Sequence, residues 1–213
     1  MLTILVADDH AIVRRGLRAI FEQREGWCVC AEASNGREAV DLAAQHRPNI
    51  AILDMAMPEL NGLEATRGIR RRSPDTEILI FTMVESTTLV REVLTAGARG
   101  FILKGEMDRL VIDAIEALAA HKPYFSTEIA DEILDGYLHP TAAPAPVKQL
   151  LTDREREIAQ LISESTSNKQ ISLKLGISVK TIETHRTALM RKIGAHSVAD
   201  VVRYAIRNNL TSV

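Results

Sequence analysis

The chain has 213 residues, 46% hydrophobic and 25% charged, enough for one large domain or two modest ones around a real core. No apolar run approaches the roughly 18 residues of a membrane span, and the opening MLTILVADDH has no basic leader, so it reads as a first strand rather than a signal peptide. The net charge of −2 hides an asymmetry: residues 1–120 carry 14 basic against 18 acidic side chains and residues 151–213 carry 10 against 6, which points to two units with different partners, the second suited to nucleic acid.

In chain order, strand-like runs fall at 2–7, 27–33, 49–54, 77–82 and 100–104. Amphipathic stretches alternate with them at about 11–23, 36–45, 62–71, 87–96 and 108–120, as the spacing of Ile12, Leu17, Ile20 and Phe21 illustrates. Five βα units with continuously apolar strands predict an α/β fold, a doubly wound five-stranded parallel sheet of flavodoxin-like form, over residues 1–120. Cys28 and Cys30 lie two apart, without the spacing or companions of a redox or metal site, and read as strand packing in a cytoplasmic protein. Residues 121–149 form a connector: a helix over 126–138 capped by Ser126, then HPTAAPAPVKQ, whose three prolines favour an extended linker. Residues 150–213 are all helical. Thr152 with Glu155 and Ser167 with Gln170 have capping-box spacing, Ser178 caps a third helix to about Lys192, and a last helix covers about 197–208.

Ligands of an open α/β sheet bind beyond the carboxyl ends of its strands. Those ends carry Asp8 and Asp9 after the first strand, Asp54 after the third, Thr82 after the fourth and Lys104 after the fifth. Three acids so close would resist ionisation without a cation, and Mg2+ suits a few carboxylates plus a phosphate. Asp8 and Asp9 then hold the metal, and Asp54 is both a ligand and the nucleophile toward a phosphoryl group. Lys104 neutralises the phosphoryl oxygens, and Thr82 donates its hydroxyl to them. Taken singly, each residue has a blander role: turn former, surface lysine or strand threonine. Their convergence on one sheet edge favours the chemistry. An enzyme turning over phosphoesters through Asp54 is the rival, as are a flavin binder and a DNA-binding protein with an inert first domain.

In the second unit, SVKTIETHRTALMRK places Ile182, Leu189 and Ile193 on one side of a helix. Lys180, Thr184, Thr187 and Arg191 share the opposite side. As the second helix of a helix-turn-helix, this one would enter the major groove by its N-terminal end. Lys180 could then pair with guanine and Glu183 accept from a cytosine amine, with Thr181 in the same turn. Lys169, His185, Arg186 and Lys192 flank the stripe and suit phosphates. The last helix, with Val198, Val201, Val202 and Ala205, has more apolar surface than a small core needs and is assigned to pairing two such units.

The runs ILVADDH, AILDMAMPELNGLE, FT and AGARGFILK closely resemble the receiver domain of two-component response regulators. The stretch from LTDREREIAQLI to VADVVRYAI looks like a LuxR-type helix-turn-helix, and together they resemble the NarL/FixJ family. The resemblance adds the backbone carbonyl of Ala56 to the metal shell and makes Phe101 the aromatic switch that turns inward as Thr82 moves. It implies phosphorylation of Asp54 by a sensor histidine kinase, homodimerisation on phosphorylation, binding of double-stranded promoter DNA and work with RNA polymerase. It implies no enzymatic turnover beyond self-phosphorylation and autodephosphorylation, no membrane association and a cytoplasmic location. Three places depart from the common pattern: Met83 beside Thr82 is large, Gly105 follows Lys104 so that no cis-proline is expected there, and Glu164–Ser165 stands where a glycine commonly ends the first helix of the second unit.

Overall fold

The computed structural model describes residues 1–83, 87–126, 129–130, 151–208 and 210–211. The chain divides into two compact units, residues 1–141 and 142–213. In the first, β1 (Leu2–Ala7), α1 (Ala11–Glu22), β2 (Trp27–Ala33), α2 (Gly36–His46), β3 (Ile50–Leu53), α3 (Gly62–Arg72), β4 (Glu77–Thr82), α4 (Thr87–Ala96), β5 (Gly100–Leu103) and α5 (Met107–Ala119) alternate along the chain. The strands pair in parallel in the order β2-β1-β3-β4-β5-β6. The sixth strand, β6 (Tyr124–Phe125), corrects the expectation of five: it falls in the connector and adds to the edge of β5. Two residues behind Lys122–Pro123 are too few to show any periodicity, so sequence pattern cannot find such a strand. Two strand ends also move: β3 stops at Leu53 and β5 at Leu103, leaving Asp54 and Lys104 just past the strand ends.

Continuous Ile, Leu and Val in β1, β3 and β4 give strands buried on both faces, as helices on both sides require. One half-core holds Leu53, Ile80 and Phe101 with Val40, Ile69 and Val93 from α2, α3 and α4. The other holds Ile52, Leu79 and Ile102 with Leu17 and Phe21 from α1 and Ile115 and Leu118 from α5. Ile12, expected on the apolar face of α1, is instead exposed, and that face is built on Leu17 and Phe21. The pairing of β1 with β2 slips between Ile4 and Leu5, so Cys30 is an extra residue in β2. Its thiol donates to the Ile4 carbonyl at 3.4 Å. Asn35 and Asn61 cap α2 and α3 by accepting from the amides of Glu38 and Glu64.

The second unit contains α6 (Asp153–Ser163), α7 (Asn168–Leu175), α8 (Val179–Ile193) and α9 (Val198–Arg207) around Ile158, Leu161, Ile171, Ile182, Leu189, Val201 and Ala205. Both expected capping boxes are present, and Ser197 with Asp200 forms a third. The Asp200 carboxyl, bonded first by the Ser197 hydroxyl and then by the His196 amide and Arg203, is held down at about 2. The α6 C-terminus closes with Ser165 at φ 60°, its amide bonding to the Ile162 carbonyl and that of Thr166 to the Leu161 carbonyl. That is a Schellman turn with serine in the left-handed place glycine normally fills. Of the 126–138 helix, residues 129–130 are helical and Ser126, the expected cap, is buried with its carbonyl accepting from the Ala130 amide at 2.9 Å; residues 127–128 and 131–138 and the 139–149 linker lie outside the described residues. Among the described residues, no helix is long and apolar enough to cross a membrane.

Candidate functional site

The backbone carries the acids to one edge of the first unit as direct extensions of the sheet. The Asp8 amide bonds to the Ala33 carbonyl at 3.1 Å, and the Asp54 amide to the Ala7 carbonyl at 2.9 Å. Past Asp54 the chain folds back on itself, the Gly62 amide bonding to the Met55 carbonyl at 3.0 Å. A Cβ on Gly62 would lie 2.3 Å from the Asp54 carbonyl oxygen, so only glycine lets α3 begin so close to that carboxylate. Sequence reading missed this position, because close backbone approach leaves no local pattern.

Asp8 and Asp54 are almost fully buried, and Thr82 and Phe101 are completely so. The Lys104 ammonium sits between the two acids, 2.7 Å from Asp8 Oδ2 and 3.0 Å from Asp54 Oδ2, and 5.9 Å from the centre of the Phe81 ring. Asp54 Oδ1 accepts from the Met55 amide at 2.8 Å. Burial pushes the Asp54 carboxyl above its usual range; Lys104 opposes that rise and Asp8 adds to it. Asp8 Oδ1 accepts from the His10 amide at 2.9 Å, and Arg14 donates to the Asp8 carbonyl at 2.7 Å, fixing the start of α1.

Asp9 lies at the exposed rim, its carboxylate 2.6 Å from His10 Nδ1. Ligand atoms of Asp8, Asp9 and His10 lie within 4.8 Å of one another. Asp8 Oδ2 is buried against the Lys104 ammonium at 2.7 Å, and the ring of His10 lies 3.3 Å from Asp8 Oδ1. Buried carboxylate oxygens of Asp8 and Asp54 sharing one ammonium, with the Asp9 carboxylate at the rim, are an all-oxygen set that fits a hard divalent cation. Ala56, whose carbonyl was assigned to the same shell, is half-buried in the turn after Asp54. His10 was not anticipated, since a histidine at a helix start reads as an ordinary surface residue.

In the second unit, Ile182 and Leu189 face the core while Lys180, Thr181, Glu183, Thr184, Thr187 and Arg191 are all exposed on α8. The Thr184 and Thr187 hydroxyls donate to the carbonyls of Lys180 and Glu183, leaving their oxygens outward as acceptors. Lys169 is exposed on α7, and His185 and Arg186 are half-buried. Arg186 donates to Asn168 Oδ1 at 3.2 Å and so ties α8 to α7. Lys192 pairs with Glu155 at 2.6 Å, which makes it a brace on the α6 capping box rather than a side chain held out for phosphate. Burial raises the Glu155 carboxyl, but bonds from Lys192 and Thr152 outweigh it and leave the group below its usual value. On α9, Val201 and Ala205 face the core, whereas Val198 and Ile206 are exposed and Val202 half-exposed. The four residues expected on one apolar side are therefore split between two.

Residues 4–116 match the family of response regulator receiver domains, and residues 149–205 match the bacterial regulatory proteins of the luxR family. Oxygen regulatory protein NreC of Staphylococcus epidermidis is 36% identical over 216 residues, covering 98% of this chain and 99% of that protein. A LuxR-family two-component response regulator from Aurantimonas sp. is 37% identical with a TM-score of 0.61, over 64% of this chain and 98% of that one. The RcsB response regulator of Salmonella typhimurium, in a structure concerned with conformational dynamism for DNA interaction, is 25% identical with a TM-score of 0.59, over 95% and 97% of the two chains. With an acid–lysine cluster at the sheet edge of one unit and a helix-turn-helix with a polar outer stripe in the other, the chain belongs to the two-component response regulators, joining a receiver domain to a LuxR-type DNA-binding domain.

Proposed function

We propose that the chain is a phosphorylation-gated transcription factor whose input is a phosphoryl group transferred to Asp54 from a sensor histidine kinase. The observation that carries this reading is Lys104, held within 3.0 Å of Asp54 and 2.7 Å of Asp8 in a largely buried pocket. Asp54 supplies the attacking carboxylate oxygen, and the bond from the donor's leaving group to phosphorus breaks as the acyl phosphate forms. Asp8, Asp9, Asp54 and the Ala56 carbonyl would hold Mg2+, which when bound supplies positive charge against the phosphoryl oxygens. Lys104 turns from the bare carboxylates to a phosphoryl oxygen, and Thr82, at the end of β4, donates to another. No enzymatic turnover is proposed beyond self-phosphorylation and autodephosphorylation: phosphatases that use an aspartyl nucleophile place a second acid two residues on, and here Ala56 stands there.

The output is promoter DNA read by α8, with Lys180, Thr181, Glu183 and Thr184 at its N-terminal end toward the bases, Thr187 and Arg191 further along, and Lys169, His185 and Arg186 toward the backbone. One such helix makes few contacts, so two copies are needed, and the outward Val198, Val202 and Ile206 of α9 suit pairing between DNA-binding domains in a homodimer. RNA polymerase would be met at the promoter, in the cytoplasm. Incubation with acetyl phosphate and magnesium, followed by intact mass measurement, tests the input. One phosphoryl mass is expected on the wild type and none on Asp54→Asn or without magnesium. Labelling of Asp54→Asn at the wild-type level would sink the assignment.

A further inference from the structure

On α8, the exposed positions between Lys180 and Arg191 are Thr181, Glu183, Thr184 and Thr187. Thr184 Oγ1 donates to the Lys180 carbonyl at 3.0 Å, and Thr187 Oγ1 donates to the Glu183 carbonyl at 2.9 Å. A carbonyl can only accept, so each hydroxyl hydrogen is held by the helix and the oxygen has only lone pairs left to offer. Thr181 is engaged in the helix cap, its hydroxyl 2.9 Å from that of Ser178, whose oxygen accepts the Thr181 amide at 3.1 Å. Glu183, a pure acceptor when ionised, forms no ion pair among the described residues, although Lys180 and Arg186 stand three residues to either side. Nearby cations point elsewhere: Arg186 donates to Asn168 at 3.2 Å, and Lys192 pairs with Glu155 at 2.6 Å. The middle of this exposed face therefore presents acceptors, with the cations Lys180 and Arg191 at its two ends.

We propose that Glu183, Thr184 and Thr187 read DNA by acceptance, selecting the major-groove amino groups of adenine and cytosine at the positions they face. The inference rests on the reading of α8 as the recognition helix and deepens it by naming the base groups that the helix selects. A back-bonded threonine is ordinary on a helix and says nothing taken singly. Here two of them share a face with a carboxylate that no cation answers among the described residues. An acid on a DNA-facing surface is repelled by the phosphates, a cost that a hydrogen bond from a cytosine amine offsets. The same oxygens meet lone pairs at guanine O6 and N7 or thymine O4, leaving both sides unsatisfied. Each base pair carries one amino group in the major groove, on adenine N6 or cytosine N4. Acceptors therefore choose which strand holds the amine and discriminate little between A·T and G·C. The selected half-site should read as guanine near Lys180, followed by positions that tolerate adenine or cytosine on one strand and exclude guanine and thymine there.

The full-length protein, with beryllofluoride and magnesium, is used to select a duplex from random DNA, and titrations on that duplex read each contact. N6-methyladenine or N4-methylcytosine is then placed at one position at a time. Each puts a methyl group where the groove-facing N–H stood and keeps the Watson–Crick pair. Wild-type affinity is expected to fall about fivefold or more at one or more positions. Thr184→Val and Thr187→Val keep the shape and the methyl group but lack the oxygen, so together they should abolish sensitivity at the positions those residues read. Thr184→Ser and Thr187→Ser keep the oxygen and should retain it. Circular dichroism checks that each variant is folded, and the base substitutions test the wild type whatever the variants do. Base methylation that costs the wild type nothing at any position, or costs the valine variants as much at every position, overturns reading by acceptance. Valine variants that bind as the wild type does, with losses confined to the serine variants, overturn it too, since the threonine methyls would then be the reading groups. A wild type that selects no sequence over random DNA overturns the reading of α8 and the acceptors with it.

Discussion

Replacing Lys104 by methionine removes the ammonium that lies within 3.0 Å of two buried carboxylates while keeping a chain of similar length. Breaking a buried ion pair by deleting one partner typically costs about 3–5 kcal/mol, because the remaining charge is left uncompensated. Here the carboxylates escape part of that cost by taking up a proton. Burial already raises the Asp54 carboxyl, and Lys104 is the chief influence holding it down, so the variant raises it further. A carboxyl whose native value lies above its unfolded value makes stability fall as pH climbs from the unfolded value, near the ordinary 3.8, through the native one. The deficit in Lys104→Met is therefore small below about pH 4 and grows toward neutrality. Trp27, the single tryptophan, has its ring 5.9 Å from Phe21 inside the receiver and reports the unfolding of that domain. With a urea slope of roughly 1.5–2 kcal/mol/M for a domain of this size, a loss of about 3 kcal/mol moves the midpoint down by about 1.5–2 M at pH 7. Adding Asp54→Asn to the variant should restore most of it. A midpoint within about 0.3 M of wild type at pH 7, or a deficit as large at pH 4 as at pH 7, would refute this account of the pocket.

Gly62→Ala drives a Cβ to 2.3 Å from the Asp54 carbonyl, so it should cost about 2 kcal/mol or more in the same urea experiment and slow acetyl phosphate labelling; wild-type values of both would count against the close approach. Ser165→Gly relieves a left-handed serine in the α6 C-terminal turn and should stabilise the DNA-binding domain by about 0.5–1 kcal/mol, measured by thermal circular dichroism of that domain; destabilisation would show that the turn is held by something other than backbone fit. Lys180→Ala should relax preference at one base position at a cost of roughly 1–3 kcal/mol, whereas Lys169→Ala should weaken all sequences alike and lower the salt slope by about one unit. Binding titrations on selected and random duplexes separate the two, and an equal loss on both duplexes from Lys180→Ala would remove it from base reading.

The receiver was legible because its signals are local. Runs such as Ile50 to Leu53 announce strands buried on both faces, and the rule that ligands gather at carboxyl ends brings Asp8, Asp54 and Lys104 together without coordinates. The caps at Thr152, Ser167 and Ser178 were equally readable, since each lies within three residues of its partner. What escaped depends on distance along the chain. Lys192 and Glu155 are 37 residues apart and meet only after α6 and α8 pack. The Gly62 contact needs the turn after Asp54 to close, and β6 needs an edge to join. Ile12 misled because helical spacing cannot tell an apolar residue facing the core from one left outside by the entry angle of the helix.

The extra residue at Cys30 bears on how copies of this protein avoid one another. An open sheet ends in two rims of unpaired backbone groups that a second sheet could extend. At one rim stands β6, only two residues long and too short to template a partner. At the other stands β2, seven residues long, which would be the hazard. There the bulge at Cys30 breaks the register with β1 and sharpens the local twist, so the strand does not offer a flat ladder. Glu32 on the same strand holds Arg14 at 3.4 Å and Arg18 at 2.6 Å, setting charged groups beside the rim. Removing the bulge by deleting Cys30 would straighten the rim and leave a ladder that a second sheet could extend, so this residue matters for its place in the strand rather than for its thiol.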